Sequence, residues 1–441
     1  MRMMVPALLL ASALMLVPGS AAQQIPHVVL ISIDGLLPST YTRPAPPAAP
    51  TLRTLAAEGT TAEGVVGVLP TVTFPSHTTI LTGVHPATHG IIDNRIVDAE
   101  GRSRGGWFWY AKEIRVPTLI TAARARNLTT AAVNWPVTIA SDAHYLVPEF
   151  ERSPHPEARQ MLDALSTPGL LQAVEISRER PLPWPLDDEA RTDIARYVVK
   201  THRPQISVLH LLATDGAQHE YGPGSAEAHK AVEGVDREVA RIVRTLEEAG
   251  LRRNTVIAIV SDHGFLPYER VLHPNVLFKQ EGLLTVNAAG AITAWQAYFH
   301  SSGGSGYVYL SDPGAALREK VAGILERLTT NPEAGVENLW TALELAKFGA
   351  HPQASFGLDV KNGWYTGSGH DTLVTRTDRV RGGHGFMPAR RELHASLILN
   401  GPGIPRGNLG VVRMTQIAPT LARLLGVALS PDADTPLTIR P

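Results

Sequence analysis

The chain has 441 residues, with 40 Lys and Arg against 41 Asp and Glu, a formal net charge of −1, and 44% hydrophobic residues. Such a length and apolar content suit two or three domains, or one large α/β domain with an insertion. Cysteine is absent, which excludes disulfides, thiolate chemistry and a lipid anchor on cysteine, so any metal must be held by His, Asp, Glu or hydroxyl oxygen. The near-balanced charge argues against a nucleic-acid-binding surface, although local basic patches remain compatible with it.

Residues 1–22, MRMMVPALLLASALMLVPGSAA, carry a basic start, an apolar stretch and a small-residue end, the pattern of an export signal. The apolar part is short for a bilayer span, so the expected outcome is cleavage near Gln23, no membrane anchor afterwards, and a periplasmic or secreted protein. Residues 27–33, HVVLISI, then form a continuous apolar run ending in Asp34-Gly35, as in a parallel strand buried on both faces. In open α/β sheets the carboxyl edge of such strands is where ligands bind. A Pro-rich loop leads to a predicted helix over 51–58.

The stretch 69–94, LPTVTFPSHTTILTGVHPATHGIIDN, is predicted to pass from loop to helix at Thr73. A threonine hydroxyl attacks well only when a base or metal removes its proton. Thr73-Phe74-Pro75-Ser76-His77 fits a threonine pointing into a metal site, with Pro75 opening the helix and its first amides facing an anion. The bland alternative is that Thr73 is a plain N-cap. The aromatic run Trp107 to Tyr110 either lines a substrate groove or fills the core.

Residues 117–125 read as a helix and 129–133 as a strand, closed by Asn134-Trp135-Pro136. Helical segments near 157–174 and 187–200 precede the apolar run 206–212, which ends Ala213-Thr214-Asp215. A long amphipathic helix over 225–249 follows, then a strand over 255–260 ending Ser261-Asp262-His263-Gly264. From 268 to 380 Gly and Pro are frequent, and 299–310 resembles a turn feeding an exposed strand, so this region reads as an inserted α+β cap. The motif Gly383-His384-Gly385, a strand over 395–401 and a helix over 414–425 return the chain to the main sheet.

A strand ending in an acid thus occurs three times, at Asp34, Asp215 and Asp262, with His219 four residues after one acid and His263 directly after another. Any one of these acids reads as a helix cap or loop carboxylate. All three together imply carboxylates converging on one face, which repel one another unless cations neutralise them.

On these residues the sequence resembles the alkaline phosphatase superfamily, and within it the nucleotide pyrophosphatase/phosphodiesterase branch. The matching motifs are Asp34-Gly35, Thr73-Phe74-Pro75 with the later HGIIDN, Asp215 with His219, Asp262-His263-Gly264, and Gly383-His384-Gly385. The resemblance implies an α/β fold with a central, mostly parallel sheet flanked by helices, formed by 23–267 and 381–441 and interrupted by the cap 268–380. It implies two zinc ions, one held by Asp215, His219 and His384, the other by Asp34, Asp262, His263 and the Thr73 hydroxyl. Two such ions can clamp the attacking and leaving oxygens of an in-line displacement. Thr73 would be the nucleophile, forming a phospho-threonine, and the Asn94 amide with the Thr73 N–H would bind a phosphoryl oxygen. Phe74 follows the nucleophile, where it stacks on a base or leaving group or simply packs.

Two positions depart from the family pattern without removing a ligand: Ser76 stands where Asn is common, and Gln218 where Gly is. Monoesterases of the branch carry a Lys-x-Arg pair that grips the extra phosphate charge. Between Asn94 and Asp215 the only lysines are Lys112 and Lys200, and neither begins such a pair, although Arg102, Arg104 or Arg152 could supply charge from elsewhere. The expected substrate is therefore a small phosphodiester or pyrophosphate, nucleotide-like. A monoesterase or phosphonate hydrolase on the same site is the alternative, and an inactive zinc- or nucleotide-binding protein is the reading from another class. Substrate identity and oligomeric state are not encoded in these motifs.

Overall fold

The computed structural model describes residues 25–44, 46–102, 106–150 and 156–439. The expected export segment, Gln23, Arg104 and Arg152 lie outside them. An eight-stranded sheet forms the centre, in the order Gly407–Asn408, Thr60–Thr61, Leu397–Asn400, Thr255–Val260, His27–Ile33, Ile206–Leu211, Thr130–Val133, Tyr145–Val147. From Thr255–Val260 to Tyr145–Val147 every neighbouring pair is parallel, whereas Leu397–Asn400 is antiparallel to both its neighbours.

The apolar runs are continuous because both faces of the sheet are covered. Val29, Ile31 and Ile33 pack on one side with Ile194, Val198, Val235 and Val239 from helices Asp188–His202 and Ala226–Glu248. Val28 and Leu30 pack on the other with Ile80 and Leu81 of helix Thr73–Thr82, Ile120 of Leu119–Ala125 and Leu421 of Ile417–Leu425. Successive side chains of one strand point to opposite faces, so a single heptapeptide feeds two cores. The sequence-predicted helix over 157–174 is two helices, Pro156–Leu165 and Leu170–Arg178, separated by a turn at Pro168-Gly169.

Register brings the strand-end residues to one edge. Ser32 lies opposite Val260 and Ile33 opposite Leu211, so the residues that follow, Asp34, Asp262 and the start of helix Ala213–Tyr221, leave the sheet at one level.

Between Thr255–Val260 and Leu397–Asn400 the chain builds smaller sheets. Leu266–Leu272 pairs with Gly363–Thr366 and Val374–Gly383, while Ala297–Ser301, Ser305–Leu310, Phe356–Val360 and Val336–Thr341 form a four-stranded antiparallel sheet. They have a core of their own around Phe278, Phe299, Leu325 and Leu358. The expected limits 268 and 380 both fall within paired strands of one three-stranded sheet. One expectation is corrected: Ser305–Leu310 is not exposed but buried along nearly its whole length, because it lies between Ala297–Ser301 and Phe356–Val360.

Candidate active site and metal centre

Thr73 is the first residue of the helix Thr73–Thr82, whose ten residues are all buried. Val72 occupies the N-cap with no side-chain cap, so the Thr73 hydroxyl is not spent on capping, and Pro75 sits in the first turn, where its missing N–H costs nothing. The Thr73 N–H has no partner among the described residues. One residue on, the Phe74 N–H donates to Asn94 Oδ1 at 2.7 Å. That bond fixes which end of the Asn94 amide is committed and leaves its NH2 group for another acceptor.

The histidines define the metal chemistry. His219 Nδ1 donates to the Gly382 carbonyl at 2.9 Å, and His384 Nδ1 donates to the Thr71 carbonyl at 3.0 Å. With both Nδ1 atoms committed as donors, neutral rings present bare lone pairs at Nε2, and these two Nε2 atoms lie 3.1 Å apart. Two lone pairs cannot hydrogen-bond each other; a proton on one ring or a cation shared by both would resolve the contact. Asp215 completes the group, 3.3 Å from His219 Nε2 and 3.8 Å from His384 Nε2. Ligand atoms of Asp215, His219 and His384 all fall within 4.8 Å of one another, as do those of Asp34, Asp215 and His263. Asp262 adjoins the second group, its Oδ2 3.1 Å from His263 Nε2 and its Oδ1 accepting the Gly35 N–H at 3.1 Å.

The electrostatics agree with a cation site. Burial, with the Asp34 charge beside it, holds Asp262 well above the usual carboxylate range. Burial, reinforced by His384 and His219, holds His263 well below the usual imidazole range, and His384 is pushed down to about 4 by burial and His219. His219 moves the other way: burial opposes its charged form, but the neighbouring Asp215 outweighs that and raises it. Asp262 Oδ2 and both ring nitrogens of His263 are buried without a hydrogen-bond partner. A divalent ion would supply what these atoms lack, and carboxylate plus imidazole is a donor set that fits zinc.

The structure therefore draws together Asp34, Asp215, His219, Asp262, His263 and His384 at the sheet edge. Thr73 joins them through its neighbours: the Thr71 carbonyl holds His384, and His77 bonds the Thr73 carbonyl at 2.8 Å while lying 3.7 Å from Asp262.

A family model described as type I phosphodiesterase / nucleotide pyrophosphatase matches residues 28–386. The chain belongs to this family. Human ectonucleotide pyrophosphatase/phosphodiesterase family member 1 is 28% identical over 252 residues, 55% of this chain and 24% of its own length. A venom phosphodiesterase of Crotalus durissus collilineatus is 26% identical over 249 residues, 54% of this chain and 26% of its own. The chain thus spans about a quarter of the length of these relatives. Among solved structures, murine ectonucleotide pyrophosphatase/phosphodiesterase 5, an inactive variant in complex with AMP, superposes with a TM-score of 0.67 at 17% identity, covering 92% of this chain and 96% of that one. This likeness establishes the mixed α/β fold with its central, mostly parallel sheet.

Within this family member the aromatic residues are arranged differently from the stacking role weighed for Phe74. Its ring is fully buried, 5.1 Å from Trp107 and 5.5 Å from Trp109, with Ile91 and Val137 completing the packing. Phe74 therefore shows no face to a ligand, which corrects the substrate-contact reading in favour of packing. Trp107 and Trp109 are themselves stacked and half-buried, and the Arg95 guanidinium lies over Trp107. Since Phe108 N–H donates to the Asn94 carbonyl, this aromatic loop is tied to Asn94.

Sequence reasoning missed a buried layer behind the candidate ligands. His210 bridges Asp34 Oδ2 at 3.2 Å and Glu149 Oε2 at 3.0 Å, and its ring lies 4.1 Å from that of His77. Such partners orient a ligating carboxylate. The available signal was a lone histidine inside the apolar strand Ile206–Leu211. Asp93 was also passed over. It accepts the Asn94 N–H at 2.6 Å and a hydrogen bond from Ser302 Oγ, joining the asparagine to the four-stranded sheet. Gly385, at φ +84°, has the Ser302 carbonyl 1.8 Å from where a Cβ would stand, so that sheet presses directly on the His384 loop.

Proposed function

We propose that the protein is an exported phosphodiesterase or nucleotide pyrophosphatase with two zinc ions, acting through Thr73 and a phospho-threonine intermediate. The observation that carries this reading is the pair of His219 and His384 lone pairs facing each other beside Asp215, within reach of Asp34, Asp262 and His263, with the Thr73 helix tied to both groups. Asp215, His219 and His384 would hold one ion and Asp34, Asp262, His263 and Thr73 Oγ the other. When bound, the ions supply Lewis acidity and charge neutralisation for the attacking and leaving oxygens.

The protein's own groups do the rest. Thr73 Oγ, its proton passing to solvent water, attacks phosphorus in line, and the ester oxygen opposite departs with the electron pair and takes up a proton from water. The Asn94 NH2 group and the Thr73 N–H donate to a non-bridging oxygen as charge builds there. Water then cleaves the phosphorus–oxygen bond of phospho-threonine, returning the hydroxyl. The substrate is nucleotide-like in this reading, supported by the relatives' names, the AMP in the murine neighbour and the half-buried Trp107 beside Arg95. Export is supported by residues 1–22 and by relatives named as ecto- and venom enzymes; no helix of the described residues is long and apolar enough to cross a membrane.

The test is hydrolysis of bis-p-nitrophenyl phosphate and p-nitrophenyl phosphate, each with zinc and with chelator, by the wild type and Thr73→Ala. Metal-dependent cleavage favouring the diester, abolished in the variant while bound zinc is retained, is the expected result. Preference for the monoester would move the protein to the monoesterase alternative. A zinc-loaded protein inert on both esters would refute the phosphodiesterase reading.

A further inference from the structure

On the outer face of the helices, away from the metal ligands, a cavity of about 670 Å3 opens between Leu170–Arg178, Asp188–His202 and Ala226–Glu248. Arg178, Arg180, Arg196, Lys200 and Arg241 line it, against one carboxylate, Asp193. A neighbouring cavity of about 440 Å3 adds Arg237 and Arg244, with Glu189 and Glu238. Seven cationic side chains therefore face three carboxylates, on a chain whose formal net charge is −1.

The pairing within the cavity does not dispose of this charge. Asp193 is buried and takes Arg178 Nε at 2.6 Å, Arg196 Nη1 at 3.4 Å and Arg241 Nη2. Each guanidinium brings five N–H donors, whereas a carboxylate offers about four acceptor sites, so these three and Arg180, whose Nη2 lies 4.0 Å from Asp193, leave donors in excess. Arg241 also meets Glu238 at 2.6 Å and Arg180 meets Glu189, but Lys200 is exposed and has no hydrogen bond or ion pair among the described residues. A buried carboxylate that fixes several guanidinium forks on one wall prepares donors for a tetrahedral oxyanion. The volume exceeds a single phosphate, and Tyr197 and Val174 give the wall an apolar part, as in a small-molecule pocket.

We propose that this cavity is a second anion site, separate from the catalytic edge, for a multiply charged organic phosphate or sulfate. Asp188, at the catalytic end of its helix, accepts the Leu212 and Ala213 N–H groups; Lys200 is twelve residues further along, about 18 Å at 1.5 Å per residue. A ligand here does not touch the metal ligands.

The probe is myo-inositol hexasulfate, which contains no phosphoester, titrated calorimetrically into the zinc-loaded full chain at 50 and 200 mM NaCl. One site is expected, weakening as salt rises and at least tenfold weaker in Arg180→Gln/Lys200→Gln. Both residues are exposed, so the variant should keep its unfolding midpoint and its turnover of bis-p-nitrophenyl phosphate; Lys200→Glu alone is the second variant and should weaken binding in the same direction. Cosedimentation with phosphatidylglycerol vesicles, lost in the variant, would identify a lipid headgroup as the source; calorimetric binding without cosedimentation would identify a free anion. Equal affinity in wild type and variants, or no binding by the wild type at 50 mM NaCl, would overturn the proposal.

Discussion

Asn94 is the residue whose replacement separates catalysis from folding most cleanly. Oδ1 of its amide accepts the Phe74 N–H at 2.7 Å, and in the proposed mechanism the NH2 group donates to a phosphoryl oxygen. Asn94→Ala removes both. Losing a preorganised donor to developing negative charge costs roughly 10²–10³ in kcat, about 3–4 kcal/mol of transition-state stabilisation. Losing the acceptor for Phe74 costs about 1 kcal/mol of folding stability. At roughly 2 cal/mol/K of unfolding entropy per residue, over roughly 400 residues, that is only about 1 °C in Tm. Asn94→Asp keeps an oxygen for the Phe74 N–H but turns a negative group toward the phosphate. Its stability should therefore recover to that of the wild type while its kcat stays at or below that of Asn94→Ala. Steady-state kinetics on bis-p-nitrophenyl phosphate and a thermal scan on the same zinc-loaded preparations measure both effects. An Asn94→Ala enzyme within threefold of wild-type kcat, or an Asn94→Asp enzyme fully active, would refute the assignment of its amide to the phosphoryl oxygen.

Removing one of the two facing imidazoles should empty one metal position: His219→Ala is expected to carry one zinc per chain against two in the wild type by elemental analysis, and unchanged stoichiometry would refute the shared site. Gly385→Ala combines a left-handed backbone with a Cβ 1.8 Å from the Ser302 carbonyl, so destabilisation above about 3 kcal/mol is expected in urea unfolding, and a neutral result would show that the loop relaxes freely. His89 provides the pH test: Ile91 N–H donates to its Nδ1, Nε2 meets Thr79 Oγ1, and burial followed by the charge of His85 pushes it down to about 3. A folded-state value below the unfolded value near 6.5 means stability that is fully present above pH 6.5 and lost as pH falls toward 3, at up to about 1.4 kcal/mol per unit. His89→Asn, which keeps an acceptor and a donor but does not titrate, should flatten the urea-unfolding stability between pH 6 and 4.5 relative to wild type; parallel curves would contradict this.

The central sheet was legible because burial on both faces leaves a plain mark, a continuous apolar run ending in an acid. His27–Ile33, Ile206–Leu211 and Thr255–Val260 all read that way, and their parallel register then brings Asp34, Asp215 and Asp262 to one edge. The insertion was less legible for the opposite reason. Ser305–Leu310, with glycine and serine at its start, looked like an exposed strand, yet it is buried because partners from Ala297–Ser301 and Phe356–Val360 cover it. Burial of such a strand is set by which segments pair with it, and those pairings reach across about fifty residues.

The same distinction runs through the site. The acids and histidines proposed to hold metal stood out in the sequence by residue type, by their places after apolar runs and by the family resemblance, and the structure gathers them at one edge. What orients them did not stand out. His219 and His384 face each other because the Gly382 and Thr71 carbonyls occupy their other nitrogens, and a backbone carbonyl has no residue type to read. Glu149 and His210 are 61 residues apart, and only the adjacency of Ile206–Leu211 to the Asp34 strand puts their contact behind that ligand. Phe74 fails in the reverse direction: its place after Thr73 suggested a ligand contact, but Trp107 and Trp109, more than thirty residues on, close over it. The aromatic surface left beside Asn94 then belongs to Trp107 with Arg95 rather than to Phe74. A flat surface flanked by a guanidinium suits an aromatic group that carries further negative charge nearby, so under the proposed function leaving-group preference should follow Trp107 and Arg95, and a Phe74→Leu variant should show its loss chiefly in stability.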